Sequence, residues 1–197
     1  MSSANAQKTL PQGYRRCEKI DLIKNRKQLL LVNGLAVVLA VLLIAAGILW
    51  QPEGASALFD FKGDPWGVAL KFLVAGIGLV VYIIGHEAVH GIFMWHFSHV
   101  KPNFGLSLSY AYAGSHVYFG KTAYLIIALA PVVLWSILLC LLCSLLPGDW
   151  FWPVWFVQIT NISGAAGDLF VFGKILRYPN TVLVQDTGTA MTVYLPA

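Results

Sequence analysis

Two histidines and a glutamate lie within an apolar stretch of the chain, in the sequence YIIGHEAVHG at residues 82–91. His86 and His90 are four residues apart, so they share one face of a helix, and Glu87 adjoins the first of them. In this H-E-x-x-H spacing, two imidazoles bind zinc and the glutamate is the general base for a zinc-bound water. Charged groups deep in a membrane cost roughly 2.5–3.5 kcal/mol each, and a bound cation would offset that cost. The pattern predicts a metal site, and the alternative is a polar network between packed helices.

A third ligand is needed because catalytic zinc takes three protein ligands and keeps one position open. The best candidate is Asp168, at the end of the sequence NISGAAGD at 161–168. Asn161 and Asp168 are seven residues apart and therefore share a helix face. Apart from Glu87, Asp168 is the only carboxylate within a predicted membrane span, and it lies at a depth similar to that of His90.

Three alternatives to this ligand set stay open at the level of sequence. His96 has the spacing of a third histidine ligand, but on a continuous helix it lies about 240° round from His90. His99 lies nearer to the correct side but beyond the expected end of the helix. Asp168 could instead form an ion pair with Lys174.

Composition indicates a membrane protein. Of the 197 residues, 58% are hydrophobic and 11% are charged, whereas soluble domains carry about 25% charged residues. About 20 apolar residues cross a bilayer as a helix. Four runs reach that length, at Leu29–Trp50, Trp66 to about Phe97, Thr122–Leu146 and about Trp152–Ile175. The fold class predicted is an all-α membrane protein of about four transmembrane helices, with a short β-hairpin or re-entrant segment between the second and third.

Charge distribution predicts the orientation in the membrane. Seven of the thirteen Lys and Arg residues lie in the first 29 residues, which form a predicted basic cytoplasmic tail at 1–28. Such a tail favours contact with anionic lipid over nucleic acid. The acidic loop at 51–66 is then external, and both termini of this multi-pass cell-membrane protein are cytoplasmic. The chain is therefore predicted to consist of three parts: the N-terminal tail at 1–28, a transmembrane domain at 29–176 and a small C-terminal cytoplasmic tail at 177–197.

The segment between the second and third spans alternates apolar and small residues. This pattern predicts a β-hairpin at about 104–119 that turns at Gly114 and Ser115. Its edge could bind an unwound substrate segment as an added strand. His116 on the returning strand is a further candidate contact to substrate.

The chain resembles the site-2 protease type of intramembrane zincin, and more closely a smaller family of membrane zincin peptidases with mostly undefined substrates. The resemblance covers about 67–176: a helix with HExxHG, a hairpin-like insert, a helix with Leu-Ala-Pro at 129–131, and a helix with N-x-x-G-x-x-G-D. It implies that zinc binds His86, His90 and Asp168, that Glu87 is catalytic, and that Asn161 contacts the substrate. Site-2 proteases typically have a proline-containing segment that ends in Leu-Asp-Gly, and this segment lacks both the proline and that ending.

The resemblance implies a zinc metallopeptidase that cleaves a membrane-protein or peptide substrate in or near the bilayer. Two other functions stay open. The chain could be a non-catalytic scaffold stabilised by zinc, or a small transporter that uses Glu87 and Asp168 as an ion or proton relay. Four spans without an inverted repeat are few for a transporter.

Overall fold

The computed structural model describes residues 5–21, 24–52, 63–106 and 111–197. Most of the predicted acidic loop at 51–66 and the middle of the predicted hairpin lie outside these residues. The helices are α1 (Arg26–Trp50), α2 (Pro65–Ser98), α3 (Lys121–Leu145), a 3₁₀ turn (Gly148–Trp150), α4 (Phe151–Gly164) and α5 (Ala166–Leu176). The strands are β1 (Ala6–Gln7), β2 (Tyr14–Ile20), β3 (Asn103–Leu106), β4 (Ala111–Gly114), β5 (Tyr118–Gly120), β6 (Leu183–Asp186) and β7 (Met191–Pro196).

Three of the described helices, α1, α2 and α3, are long and apolar enough to cross a membrane. Two of them begin at side-chain caps. The Oδ1 of Asn25 accepts the amide of Gln28 at 3.2 Å, and the Oδ1 of Asp64 accepts the amide of Gly67 at 2.9 Å. The predicted fourth span corresponds to two shorter helices, α4 and α5, which are separated at Ala165.

A five-stranded antiparallel sheet combines strands from distant parts of the chain, in the order β1-β5-β6-β7-β2. Phe119 on β5 lies opposite both Ala6 and Val184, and Tyr14 on β2 lies opposite Pro196 on β7. The two segments predicted to be tails therefore supply four of the five strands. The prediction of an all-α protein is corrected to a mostly helical protein with a β-sheet.

The predicted hairpin is present, with a different register. Strand β3 pairs with β4, so that Asn103 lies opposite Gly114 and Leu106 lies opposite Ala111. Gly114 is therefore the last residue of β4 and Ser115 follows it, so neither forms the turn of this hairpin and the predicted turn position is wrong. The returning strand β5 pairs with β1 and β6 in the larger sheet.

The chain forms two compact units. The first comprises residues 1–32, 85–131 and 167–197, and the second comprises 33–84 and 132–166. The core of the first unit joins the sheet to its helices through fully buried side chains that include Phe119, Ile175 and Val193. In the second unit, Trp155 stacks on Phe151 with 5.4 Å between ring centroids, and its indole N–H donates to the carbonyl of Leu43 at 2.9 Å.

Candidate metal centre

Helices α2 and α5 bring the three predicted ligands together within the first unit. His86 and His90 lie one turn apart on α2, with 4.9 Å between ring centroids, and Asp168 lies in the first turn of α5. The Oδ2 atom of Asp168 is 3.2 Å from the Nε2 of His86 and 3.6 Å from the Nε2 of His90. The candidate ligand atoms of the three residues all lie within 4.8 Å of one another.

The donor set and its spacing fit zinc. With bonds of about 2.0–2.1 Å at tetrahedral angles, two ligand atoms on one zinc ion lie roughly 3.3 Å apart. The two measured separations, 3.2 and 3.6 Å, are close to that value. The histidines are buried, but the Asp168 side chain keeps 32% of its exposure. The cluster is therefore not sealed inside the protein, as a catalytic site requires.

A backbone carbonyl orients His90. The Nδ1 of His90 lies 2.9 Å from the carbonyl oxygen of Ile127 on α3, inside the buried core. Because a carbonyl oxygen only accepts, Nδ1 carries the proton and Nε2 presents its lone pair to the cluster. Histidine ligands of metals commonly donate their second N–H in this way.

Glu87 lies beside the cluster and contacts the hairpin. Its carboxylate is close enough to interact electrostatically with His86, His90 and Asp168, and it accepts a hydrogen bond from the backbone amide of Ala113 on β4. Glu87 is half-buried. It is therefore placed next to the ligands, where a general base would be needed.

A second carboxylate near the cluster comes from the C-terminal strands. The Oδ2 of Asp186 accepts the hydroxyl of buried Tyr124 at 2.7 Å, and its Oδ1 accepts the amide of Gly188 at 2.8 Å. Burial raises the pKa of Asp186, although its hydrogen bonds with Gly188 and Tyr124 oppose the shift. Sequence reasoning did not single out Tyr124 or Asp186, because Asp186 lies in a predicted tail and neither residue belongs to a motif.

The structure separates the alternative ligands from the cluster. His96 and His99 are exposed, and among the described residues the group that could hold a metal contains only His86, His90 and Asp168. Helix α2 ends at Ser98, so His99 lies beyond it, as expected. Lys174 pairs with Glu18 on β2, whereas the partners of Asp168 are the two histidines.

The two predicted substrate contacts lie in different surroundings. Asn161 is fully buried in the second unit, where its amide donates to the Val132 carbonyl at 3.3 Å, Ser136 at 2.9 Å and Gln158 at 3.2 Å. Its Oδ1 has no hydrogen-bond partner among the described residues. His116 belongs to the first unit and is exposed, and its backbone carbonyl accepts the side-chain amide of Gln185 at 2.8 Å.

Comparison with known proteins gives one family. No curated protein and no solved structure matches the chain. One family model matches residues 79–183, just over half of the chain, and this range contains both histidines, Glu87 and Asp168. The chain belongs to the family described as "putative zincin peptidase", which identifies it as a member of a zinc metallopeptidase family.

Proposed function

We propose that this protein is a membrane-embedded zinc metallopeptidase that cleaves a peptide bond in or near the bilayer. The observation that carries the proposal is the cluster of His86, His90 and Asp168 with Glu87 beside it. Its two histidines and Glu87 lie on α2, a helix long enough to cross a membrane. A soluble zincin would not need to place His86, Glu87 and His90 on a helix that is long and apolar enough to cross a membrane.

Each residue of the cluster has a distinct role. His86, His90 and Asp168 would hold zinc, which when bound lowers the pKa of water and polarises a carbonyl. Glu87 accepts the proton of the attacking water at its carboxylate and then donates it to the leaving amine. The amide of Ala113 orients that carboxylate by its hydrogen bond.

The hairpin supports binding of an extended substrate. Strand β4 pairs with β3 on one side, and in the described residues it has no second strand partner. Its Ala113 amide contacts Glu87, so an edge of β4 lies beside the general base. A substrate segment that adds to this edge as a strand would bring its backbone next to the cluster.

Asn161 and His116 are proposed substrate contacts. The Oδ1 of Asn161 is a buried acceptor without a donor, and a substrate amide would satisfy it. His116 is exposed in the segment that joins β4 to β5, where it can reach a bound peptide.

The sheet supports four crossings with both termini on one side. One hydrogen-bonded sheet contains the strands that precede α1, a strand between α2 and α3, and the strands that follow α5. A bilayer cannot divide such a sheet, because its strands must stay hydrogen-bonded to one another. The chain must therefore cross the membrane an even number of times between them, and α4 with α5 supplies the fourth crossing. The exposed basic residues before and at the start of α1 support a cytoplasmic location for this side, next to anionic lipid.

The test is the metal content of purified protein, measured by mass spectrometry. We expect about one zinc per chain in the wild type and none in His86→Ala or Asp168→Ala. His96→Ala is the matched control, because it removes an exposed histidine of the same helix and should keep the metal. A folded wild type that binds no zinc when zinc is supplied would refute the proposal and leave the His86–Asp168 contact as a packing interaction.

A further inference from the structure

Helix α3 contains a proline in its interior, Pro131, whose side chain is fully buried. Proline has no backbone N–H, so the carbonyl four residues earlier loses its usual helical partner. That carbonyl belongs to Ile127. In an apolar environment a freed carbonyl needs another donor, because water is not available to satisfy it.

The donor that Ile127 receives is a candidate metal ligand. The Nδ1 of His90 lies 2.9 Å from the Ile127 oxygen, and both residues are buried. The carbonyl that Pro131 frees is therefore the same one that orients His90. Two independent features, the position of a proline and the position of a histidine on another helix, converge on one oxygen atom.

We propose that Pro131 is a positioning residue for the metal centre. By withholding an N–H from the Ile127 carbonyl, it reserves that oxygen for the Nδ1–H of His90. The imidazole is thereby held in the tautomer whose Nε2 lone pair faces Asp168, 3.6 Å away. The consequence for zinc affinity rests on the proposed function, whereas the effect on the tautomer does not.

The alternative is that Pro131 serves only the packing of α3. In that case a residue of suitable size with an N–H would change nothing at His90. Pro131→Ala and Pro131→Val both restore the N–H, and valine also fills most of the buried volume. Pro153→Ala is the matched control, since Pro153 lies in the first turn of α4, where N–H groups have no partner within the helix.

The first measurement is ¹⁵N NMR of metal-free protein labelled at histidine, with the imidazoles neutral and the His90 signal assigned by its loss in His90→Gln. We expect protonation at Nδ1 in the wild type and in Pro153→Ala. In Pro131→Ala and Pro131→Val the helical N–H competes for the Ile127 oxygen, so we expect a substantial fraction of the Nε2–H tautomer.

The second measurement is zinc affinity by competition with a chelator. Loss of a hydrogen bond that supports a metal ligand typically weakens binding by about 10- to 100-fold. We expect a loss of that size in both Pro131 variants and none in Pro153→Ala. Wild-type tautomer and wild-type affinity in the folded Pro131 variants would overturn the proposal. A tautomer change in protein whose wild type binds no zinc would refute the proposed function and support the positioning role.

Discussion

In the proposed mechanism, Glu87 is the residue whose exchange separates metal binding from catalysis. Glutamine keeps the size and polarity of the side chain but cannot accept a proton. We expect Glu87→Gln to retain zinc and to reduce turnover by about 10²–10⁴-fold, the usual contribution of a general base. The measurement is cleavage of a mixture of quenched fluorogenic peptides with apolar, helix-breaking sequences, alongside metal content.

The same variant discriminates between the functions left open by the sequence. Retained zinc with lost cleavage is the signature of an enzyme. If Glu87→Gln cleaved these peptides as fast as the wild type, Glu87 would not be the general base. A scaffold stabilised by zinc would show no cleavage in either protein.

Substitution of Tyr124 measures how much its hydrogen bond to Asp186, the second carboxylate near the cluster, stabilises the fold. Its hydroxyl donates to Asp186 at 2.7 Å, and phenylalanine would leave that Asp186 oxygen without its donor. We expect Tyr124→Phe to lower the free energy of unfolding by about 1.5–3 kcal/mol, as for hydrogen bonds to charged groups. The measurement is unfolding of metal-free protein in detergent.

Tyr14→Phe is the control for Tyr124→Phe. The Tyr14 hydroxyl is an exposed donor to the neutral carbonyl of Thr181 at 2.8 Å. Loss of this hydrogen bond should lower the free energy of unfolding by less, about 0.5–1.5 kcal/mol. Equal losses of unfolding free energy in the two variants would contradict the expectation that the hydrogen bond to Asp186 contributes more than the one to the Thr181 carbonyl.

At the scale of residues, the sequence predicts groups that carry a motif. The two histidines share a helix face because of their spacing, and Asp168 stands out as a carboxylate within an apolar span. The donor from Ala113 could not be predicted, because every residue has an amide and only the fold aims this one at Glu87. Pro131 did leave a signal, since a proline inside an apolar helix marks a freed carbonyl four residues earlier.

Gly114 controls how closely β4 approaches the turn between β6 and β7. A Cβ atom at this position would lie 2.3 Å from the carbonyl carbon of Thr187 and 2.7 Å from the amide nitrogen of Gly188. Because these are backbone atoms, Gly114→Ala must displace β4, at a cost of about 1–3 kcal/mol. We expect reduced peptide cleavage with zinc retained, since the neighbouring Ala113 supports Glu87 and not the ligands.

The control for Gly114→Ala is Gly173→Ala, since a Cβ at Gly173 meets nothing within 4 Å. It also exchanges glycine for alanine, but on α5 and without a backbone clash. We expect wild-type cleavage and zinc content. Equal loss of cleavage in both variants would show that the effect does not depend on the approach of β4 to the turn.

Strand β2 is joined to the end of α5 by Glu18. Its carboxylate accepts Lys174 and the hydroxyl of Tyr178, the latter at 2.8 Å. Burial would raise the pKa of Glu18, but these hydrogen bonds outweigh it and hold the pKa below its ordinary value of 4.5. The carboxylate therefore stabilises the fold above about pH 4.5, and this contribution is lost as pH falls through the lower folded pKa.

Glu18→Gln measures that contribution. We expect the variant to be less stable than the wild type by about 1–2 kcal/mol at neutral pH, since the groups are partly exposed. The difference should shrink as the pH is lowered below about 4.5. The measurement is unfolding of both proteins in detergent across this range, and a difference that is independent of pH would contradict the assignment.

At the scale of elements, the sequence predicts the helices better than the strands. Hydropathy places α1, α2 and α3 within about three residues of their ends, because each must be apolar over its whole length. The five-stranded sheet was missed because its strands are short and pair across the whole chain. The hairpin turn is misplaced because the alternation runs without a break from Leu106 to Ala113, and the pattern does not show which partner each strand takes.

In the proposed arrangement, the whole molecule crosses the membrane an even number of times, because a bilayer cannot divide its sheet. We expect tags at the N- and C-termini to be accessible from the same side, the cytoplasm, in intact cells and in inverted vesicles. The measurement is protease or antibody accessibility, with a tag in the loop between α1 and α2 as the control for the opposite face. Tags found on opposite sides would contradict the four-crossing arrangement.

The pairing of β2 with β7 also sets the order in which the protein can assemble. Tyr14 pairs with Pro196, so the edge strand of the sheet waits for a partner that is synthesised after α5. Contacts that distant form late in folding. The hairpin and α2 emerge early, but β6 and β7, which carry Asp186 and the turn against Gly114, follow α5 in the chain. A nascent chain would therefore contain the three candidate ligands before it contains the strands that pack beside them.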